Sequence, residues 1–369
     1  MESNQKNKNL KPLNFYPGPS KLYPNVEKYA MDAFDSGILE RNHRSLPFMA
    51  MLEKTIELFK IKLDVPINYK VFFTSSSTEC WEICAQSLFS GKIQFLYNGA
   101  FGKKWFKYAV TNPQVNSFLN FKKSEIRGSR FFIDNQVDEL ELDKENNVLC
   151  VVGCETSNGT SISSDSLKSL NKSCPNALIM VDATSSMGGD FLDFSLADVW
   201  FASSQKCFGL PSGLGILIVS PKAQERAIEI NERNHYNSLI FMEENFNKFQ
   251  TNYTPNILGI YLLRRLLEDN LPIQEISKKL FKRASFLYSE LARIQELELL
   301  VKNPLTRSNT VLAIKSDSAN LIITKAKNRN ILLGNGYGEW KENTFRIANF
   351  PAIKDEEFDR LLRFLKTIL

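Results

Sequence analysis

Short apolar runs alternate with helix-like segments between about residues 45 and 220. Two of these segments carry an apolar stripe at helical spacing, one from Leu52 to Leu63 and one from Trp81 to Leu88. The runs are continuous rather than alternating, which is typical of strands buried on both faces of a sheet. The pattern predicts an α/β domain with a mostly parallel sheet. The predicted strands are Val71–Phe73, Ile93–Tyr97, Leu149–Gly153, Leu178–Asp182, Val199–Ala202 and Gly215–Val219.

The pattern changes after about residue 255. Helical segments at Ile257–Leu267 and Ile276–Leu291 precede strand-like runs near Thr310–Ala313 and Phe345–Ile347, and a final amphipathic helix has Asp355 as its predicted N-cap. A chain of 369 residues is also too long for one compact core. We therefore predict a disordered tail at 1–10, a large α/β domain at 25–255, and a smaller α+β domain formed by 11–24 plus 256–369.

The composition is that of an ordinary globular protein, with 43% hydrophobic and 24% charged residues. The net charge of +5 is spread along the chain and indicates no nucleic-acid partner. No stretch reaches the roughly 20 apolar residues that span a bilayer, and the polar first ten residues lack a signal-peptide core. Six cysteines accompany only two histidines, which favours buried reduced thiols over a zinc site. We expect a cytoplasmic protein without metal or membrane partners.

A lysine and an aspartate each follow a predicted strand. Lys206 comes shortly after Val199–Ala202, and Asp182 ends the run Leu178–Asp182. A lysine can form a Schiff base with the aldehyde of pyridoxal phosphate, and a carboxylate can keep the pyridine nitrogen protonated. The pair therefore suggests a pyridoxal phosphate site at the strand ends.

A serine-rich turn follows the first predicted strand. Ser75, Ser76, Ser77 and Thr78 precede a helical pattern, and the free N–H groups of a helix N-terminus favour an anion such as a cofactor phosphate. Ser76 and Glu79 also have the spacing of a capping box, so a simple helix cap is the alternative. The two interpretations are compatible.

Other side chains suit such a site, although each has a plainer interpretation. Phe101 can stack on a pyridine ring or pack in the core. Thr156 can form a hydrogen bond with the pyridine hydroxyl, next to an ordinary Asn-Gly turn. Tyr253 and Thr254 can bring two hydroxyls to a phosphate, although most such pairs do not.

Three cationic residues are candidates for substrate binding. Arg346 lies in an apolar run, where a cation is costly unless it is paired. It is either part of a structural ion pair or a planar fork for a substrate carboxylate. His43 and Arg44 are adjacent and can hold a second anion; the alternative is a helix-capping histidine and a surface arginine.

Together these segments resemble the class V, fold-type I aminotransferases, and among them the phosphoserine aminotransferases. The resemblance runs from about Asn14 to the C-terminus. It implies a large, mainly parallel-sheet α/β domain, a smaller α+β C-terminal domain, and pyridoxal 5'-phosphate as cofactor. The order and spacing of the motifs carry it: Asn14-Phe-Tyr-Pro-Gly-Pro19, Asn42-His-Arg-Ser45, Asp182 with Ser203-Ser-Gln-Lys206, and Tyr253-Thr-Pro255.

The resemblance also implies roles for single residues. Lys206 would carry the Schiff base, Asp182 would pair with the pyridinium nitrogen, and Phe101 would stack on the ring, where the phosphoserine enzymes often carry tryptophan. By the same resemblance, the cofactor phosphate would be bound by Ser77, Thr78 and Gln205, and by Tyr253 and Thr254 from the neighbouring subunit of a homodimer. Thr156 would contact the pyridine hydroxyl. Arg346 would bind the substrate α-carboxylate, and His43 and Arg44 would bind the substrate phosphate across the dimer. The implied reaction is ping-pong transfer between glutamate and 3-phosphohydroxypyruvate in serine biosynthesis.

Two positions depart from the phosphoserine pattern. Glu79 stands where that family has an arginine in the phosphate turn, and Gly338-Glu-Trp340 replaces a Gly-His-Arg stretch. Losing two cations and gaining two carboxylates weakens the case for a phosphorylated substrate. The alternatives are another class V aminotransferase, such as an alanine– or serine–glyoxylate enzyme, more distantly a cysteine desulfurase, or a non-catalytic protein that keeps the fold as a scaffold.

Overall fold

The computed structural model describes residues 11–111 and 125–369. The predicted tail at 1–10 lies outside these residues. The α-helices are α1 (Val26–Asp35), α2 (Leu46–Leu63), α3 (Ser77–Leu88), α4 (Ala100–Thr111), α5 (Ser164–Ser173), α6 (Pro221–Ile230), α7 (Leu239–Phe246), α8 (Ile257–Asp269), α9 (Ile273–Leu291), α10 (Ala319–Asn328) and α11 (Asp355–Ile368). The strands are β1 (Leu13–Phe15), β2 (Lys70–Thr74), β3 (Ile93–Tyr97), β4 (Ile126–Arg130), β5 (Val148–Val152), β6 (Cys154–Glu155), β7 (Thr160–Ser161), β8 (Leu178–Asp182), β9 (Val199–Ser203), β10 (Gly215–Val219), β11 (Glu298–Leu299), β12 (Val311–Lys315), β13 (Ile331–Asn335) and β14 (Thr344–Ala348).

The large sheet is mostly parallel, as predicted. Within the described residues it has seven strands in the order β2-β10-β9-β8-β5-β3-β4. Only β10 runs antiparallel to its neighbours, β2 and β9. All residues of β5, β8, β9 and β10 are buried, because apolar cores cover both faces of the sheet.

The carboxyl ends of the parallel strands meet at one edge of this sheet, where ligands bind in open α/β folds. Asp182 ends β8, and Lys206 follows β9. Thr74 at the end of β2 and Ser203 at the end of β9 both pair with Gly215 at the start of β10. A Cβ atom on Gly215 would collide with Thr74 and Ser76. A glycine is therefore needed for the serine-rich turn to pack here.

A second sheet has the order β1-β13-β14-β12-β11. β1 pairs in parallel with β13, and the other neighbouring pairs are antiparallel. Its core is formed with α9, α10 and α11. Helix α8 instead packs against α1 and α2 and belongs to the core of the large sheet. The division of the chain at residues 25 and 255 remains a prediction.

One predicted helix start is wrong. The N-cap of α11 is Lys354, not Asp355, which is the first residue inside the helix. The carboxylate of Asp355 accepts a hydrogen bond from Nη1 of Arg283 (2.9 Å), while Glu357 accepts the N–H of Lys354 (2.9 Å). Asp355 therefore forms an ion pair with Arg283 of helix α9 instead of capping α11.

All six cysteines are buried, as predicted. Among residues 11–111 and 125–369, no helix is long and apolar enough to cross a membrane.

Candidate active site

The serine-rich turn begins helix α3 and is tied to the end of β9. Ser76 is the N-cap, and its hydroxyl accepts the N–H of Glu79 (3.1 Å). Ser77 donates its N–H to Oγ of Ser203 (3.1 Å), whose hydroxyl donates to Oγ of Ser77 (2.8 Å). Ser76 caps the helix, and Ser77 and Thr78 still line a cleft at this edge of the sheet. The helix cap and a turn that faces the cleft are therefore both present.

The carboxylate of Glu79 completes only half of the predicted capping box. It accepts the N–H and the hydroxyl of Ser75 (both 2.7 Å) rather than the N–H of Ser76. It also accepts from the hydroxyl of Tyr236 (2.9 Å) and from Nδ2 of Asn237 (3.1 Å). Burial acts to raise the pKa of Glu79, but these hydrogen bonds hold it below its usual value. Glu79 thus joins the turn to the segment that contains Tyr236.

Asp182 lines the cleft and is buried. Nε1 of Trp81 donates to its Oδ2 (3.2 Å), and the N–H of Thr184 donates to its Oδ1 (2.9 Å). Burial raises the pKa of Asp182 to about 6 despite these two hydrogen bonds. A cationic partner in the cleft would favour the charged carboxylate.

The backbone of Lys206 is held by the N-terminal loop. Its carbonyl oxygen accepts the hydroxyl of Ser20 (2.8 Å) and the N–H of Gly209 (2.9 Å). Its Nζ donates to the carbonyl oxygen of Pro17 (2.6 Å). The side chain passes so close to Gly18 that a Cβ atom there would collide with Nζ and Cε.

The amine of Lys206 lies in a setting that favours its neutral form. Burial, followed by the nearby charge of Arg346, lowers the pKa of Lys206 to about 8. A larger neutral fraction near neutral pH makes the amine a better nucleophile. Nζ also lies 6.0 Å from the ring centroid of Phe101.

Phe101 lies in the first turn of α4, which a buried carboxylate caps. Glu155 accepts the N–H groups of Phe101 (3.2 Å) and Gly102 (3.0 Å), and Ser157 accepts the N–H of Ala100 (2.9 Å). A carboxylate at a helix N-terminus satisfies free donors and interacts favourably with the helix dipole. Phe101 is half-buried at the cleft wall rather than wholly in the core.

Arg346 is buried and does not line the cleft itself, but it contacts Thr156, which does. Its Nη1 donates to the carbonyl oxygen of Thr156 (2.8 Å), and its Nε donates to that of Asn335 (2.7 Å). In the part of the chain that the structure describes, no carboxylate forms an ion pair with it, so the structural ion pair considered for Arg346 is wrong. Burial lowers the pKa of Arg346. The hydroxyl of Thr156 contacts that of Ser185.

One cleft brings together seven of the predicted residues. It encloses about 780 Å³, including its open mouth. Gln205 lines this cleft, and its buried Oε1 has no hydrogen-bond partner among the described residues. The seven predicted residues are Ser77, Thr78, Phe101, Thr156, Asp182, Gln205 and Lys206.

Seven further residues line this cleft without a role predicted from the sequence. Among them are Trp81, Lys104 and Thr184. Lys104 lies one helical turn after Phe101 on α4, a spacing that could have identified it. The apolar stripe predicts only core packing for Trp81, although an indole N–H usually needs a partner when it is buried.

Five predicted residues do not line this cleft in one subunit: Arg346, which lies behind Thr156, and Tyr253, Thr254, His43 and Arg44. Tyr253 packs edge-on against Tyr236, with ring centroids 5.6 Å apart. Oγ1 of Thr254 is 3.4 Å from Nδ1 of His43, so residues from two distant segments meet there. Arg44 is exposed. Burial, and then the charge of Arg44, lower the pKa of His43.

Comparisons with known proteins extend over nearly the whole chain. It is 26% identical to the phosphoserine aminotransferase of Rhodococcus opacus (strain B4) over 366 residues, which cover 95% of this chain and 94% of that protein. It is 28% identical to a phosphoserine aminotransferase of Cytophaga hutchinsonii ATCC 33406 of known crystal structure, with a TM-score of 0.89 and coverage of 96% and 98%. An alanine–glyoxylate aminotransferase of Nostoc sp. has a TM-score of 0.77 at 19% identity, with coverage of 100% and 97%. That last likeness shows the fold alone.

The residues of the cleft fit pyridoxal phosphate. The N-terminus of α3 at Ser77 and Thr78 suits a phosphate. The buried Oε1 of Gln205 has no hydrogen-bond partner among the described residues, and a pyridinium cation would compensate the buried carboxylate of Asp182. Lys206 supplies an amine that is partly neutral near neutral pH.

The family model for class V aminotransferases matches residues 13–336. These enzymes and the structural neighbours above are fold-type I proteins that depend on pyridoxal phosphate. The chain belongs to the class V aminotransferases.

Proposed function

We propose that this aminotransferase interconverts phosphoserine and 3-phosphohydroxypyruvate, with glutamate and 2-oxoglutarate as the second pair, in serine biosynthesis. The observation that carries the proposal is the likeness to the phosphoserine aminotransferase of Cytophaga hutchinsonii, which has the same fold over 96% of this chain and is 28% identical to it. The curated relatives of Rhodococcus point to the same substrate.

The two carboxylates that depart from the phosphoserine pattern are turned to other partners. Glu79 is held by Ser75, Tyr236 and Asn237. Glu339 pairs with Arg130 at the surface. Neither carboxylate lines the cleft. The electrostatic objection to a phosphorylated substrate is therefore smaller than the sequence alone suggests.

Lys206 is the proposed attachment and proton-transfer residue. Bound pyridoxal phosphate would supply an electron sink for the electrons released when the substrate Cα loses its proton. Nζ of Lys206 would take this proton and return it, which requires an amine that changes its protonation near neutral pH. The pKa of about 8 meets that requirement.

The other residues of the cleft would hold the cofactor. Asp182 would keep the pyridine nitrogen protonated, and Phe101 would stack on the ring. Thr156 would contact the pyridine hydroxyl. Ser77, Thr78 and Gln205 would bind the phosphate at the N-terminus of α3.

Arg346 would bind the α-carboxylate shared by every amino-acid substrate. Two of its donors are already held by the carbonyl oxygens of Thr156 and Asn335, which fixes the plane of the guanidinium group. A fixed planar fork suits bidentate recognition of a carboxylate. The same residue would serve both half-reactions.

We further propose a homodimer with shared sites. Thr254 and His43 lie together but outside the cleft of their own subunit, as expected if each completes the neighbouring site. Tyr253 and Thr254 would reach the cofactor phosphate there, and His43 and Arg44 the substrate phosphate. A cytoplasmic location fits the six free, buried cysteines.

Half-reactions test the substrate. Phosphoserine, serine, alanine and glutamate are each mixed with the enzyme loaded with pyridoxal phosphate, and conversion to the pyridoxamine form is followed by absorbance. Phosphoserine should react much faster than serine. Arg44→Ala should slow phosphoserine far more than glutamate. Equal rates for phosphoserine and serine would contradict the proposal.

A glyoxylate-type aminotransferase is the second candidate. Among the described residues of one subunit, the only cations that line the cleft are Lys104 and Lys206, which favours a substrate without a phosphate if the partner subunit adds none. This candidate predicts that alanine or serine reacts fastest, with glyoxylate as acceptor.

Mixed dimers test the sharing of sites. Lys206→Ala and Arg44→Ala variants are each expected to lack phosphoserine activity. If Arg44 acts across the dimer, a heterodimer of the two has one site with both residues intact and regains part of the activity. No recovery in a verified heterodimer would contradict the shared site.

A further inference from the structure

The segment between β13 and β14 carries an aromatic residue, Tyr337, that the resemblance assigns to no role. The segment is held in a defined shape. Trp340 donates its N–H to the carbonyl oxygen of Tyr337 (3.2 Å). The hydroxyl of Thr344 donates to the carbonyl oxygen of Trp340 (2.5 Å). A Cβ atom on Gly336 would collide with backbone oxygens of the same turn.

The same segment is docked on the start of α4. Glu339 pairs with Arg130 of strand β4, which neighbours β3. At Gly338 an added Cβ would lie 3.2 Å from Cβ of Ala100, so the turn and the helix start are in close contact. These contacts place Tyr337 between the second sheet and Phe101, the residue after Ala100.

The ring of Tyr337 contacts two residues with different proposed roles. It stacks on Phe101, with centroids 5.1 Å apart and planes 13° apart. The guanidinium carbon of Arg346 lies 5.5 Å from the centroid of the Tyr337 ring. Parallel aromatic stacking and a cation over a ring are both attractive geometries.

These contacts constrain both neighbours. Phe101 has two ring faces, and Tyr337 covers one of them, which leaves the other for the pyridine ring. Arg346 is held in plane by the carbonyl oxygens of Thr156 and Asn335, and the Tyr337 ring adds a contact outside those hydrogen bonds. A side chain held by its neighbours keeps its geometry better than one left free.

We infer that Tyr337 is a positioning residue that fixes Phe101 against the cofactor ring and Arg346 against the substrate carboxylate at the same time. The inference goes beyond the choice of substrate and rests on the roles proposed for Phe101 and Arg346. Because the α-carboxylate is common to all substrates, the effect should not depend on the amino-acid side chain.

Two substitutions separate the ring from the hydroxyl. Tyr337→Phe keeps both ring contacts, and Tyr337→Leu removes them. Tyr337 has a side chain that is 41% exposed, so both variants should fold, which far-UV circular dichroism and the melting temperature check. Phe132→Leu, at an aromatic that is 81% exposed, is the control for loss of a surface ring.

Tyr337→Leu should raise KM for both glutamate and phosphoserine by about tenfold, the effect of losing one good cation–π contact. It should also change the absorption or circular dichroism band of the bound cofactor. Tyr337→Phe and Phe132→Leu should resemble the wild type. An unchanged KM and cofactor band in Tyr337→Leu would overturn the inference, and so would an equal effect in Tyr337→Phe.

Double-mutant cycles test whether Tyr337 acts through its neighbours. When Tyr337→Leu is combined with Arg346→Lys, KM for glutamate should rise by less than the product of the two single effects. When Tyr337→Leu is combined with Phe101→Leu, the dissociation constant of the cofactor should likewise rise by less than the product of the two single effects. Additive effects in both cycles would overturn the inference. Neither cycle uses phosphoserine, so failure of the proposed substrate is read separately from failure of this inference.

Discussion

Nε1 of Trp81 donates a hydrogen bond of 3.2 Å to Oδ2 of Asp182. Trp81 lies in α3, whose first residues form the phosphate-binding turn proposed here, whereas Asp182 ends β8. This contact therefore links the two ends of the proposed cofactor site. It also favours the charged form of a carboxylate whose pKa burial has raised to about 6.

Trp81→Phe should weaken cofactor binding. Removing the indole donor leaves the buried carboxylate of Asp182 with one fewer hydrogen bond, which raises its pKa further and loosens its orientation. We expect the dissociation constant of pyridoxal phosphate to rise about tenfold, the usual effect of one hydrogen bond to a charged group. Titration of the apoprotein by fluorescence measures it.

Trp105→Phe is the matched control for this change. Trp105 stacks on Trp81 with centroids 6.1 Å apart, but its Nε1 has no hydrogen-bond partner among the described residues. An equal loss of affinity in both variants would show that packing, not the hydrogen bond to Asp182, is responsible.

Gly18→Ala should displace Lys206. The added methyl group would occupy the space of Nζ and Cε of the lysine, so covalent attachment of the cofactor should be strongly impaired. Gly37→Ala is the control, since Gly37 also has a positive φ of 65° but has no atom within 4 Å of an added Cβ. If both variants load with cofactor equally well, the close packing around Lys206 is not needed.

The rate of cofactor attachment to the apoprotein should follow the ionisation of Lys206. A pKa lowered to about 8 means that the reactive neutral amine increases as the pH rises through 8 and is nearly complete above it. The attachment rate should rise by about tenfold between pH 7 and 9 and then level off, whereas an unperturbed lysine would give a rise of about a hundredfold without levelling. Stopped-flow absorbance distinguishes the two profiles.

Glu79→Gln should not improve the reaction with phosphoserine. The carboxylate accepts four hydrogen bonds from Ser75, Tyr236 and Asn237, so its loss should destabilise the protein by about 1–3 kcal/mol without opening an anion site. Thermal unfolding and the phosphoserine half-reaction measure the two effects.

Glu339→Gln is the comparison for Glu79→Gln. Glu339 forms an exposed ion pair with Arg130, and such pairs contribute about 0–1 kcal/mol. A selective gain in phosphoserine rate on removing either charge would show that the carboxylate repels the substrate phosphate.

The buried strands could be predicted from the sequence because each is a continuous apolar run. β3, β8 and β10 begin and end as expected, and β5 is shifted by one residue. Strand β4 was not predicted, since Ile126–Arg130 is a polar and largely exposed edge strand. Burial on both faces produces a signal in the sequence that an edge strand lacks.

The residues of the cleft could be predicted from the sequence where they lie at strand ends, but not where they lie on helices or in other connections. Asp182 ends β8 and Lys206 follows β9 in one sheet, and Thr156 comes four residues after β5 of the same sheet, so the three lie near strand ends that must meet. Tyr337 and Lys104 carry no such signal, because Tyr337 lies in the connection between β13 and β14 of the second sheet and Lys104 lies on helix α4. The wrong N-cap at Asp355 has the same origin, since its partner Arg283 is distant in sequence.

The position of the cofactor tests the account most directly. The holoenzyme is reduced with borohydride, digested, and examined by mass spectrometry for the lysine that carries the pyridoxyl group. The modification is expected at Lys206 and should be absent from a Lys206→Ala variant. Modification at Lys104, the other lysine that lines the cleft, or at any lysine outside it, would contradict the proposed active site.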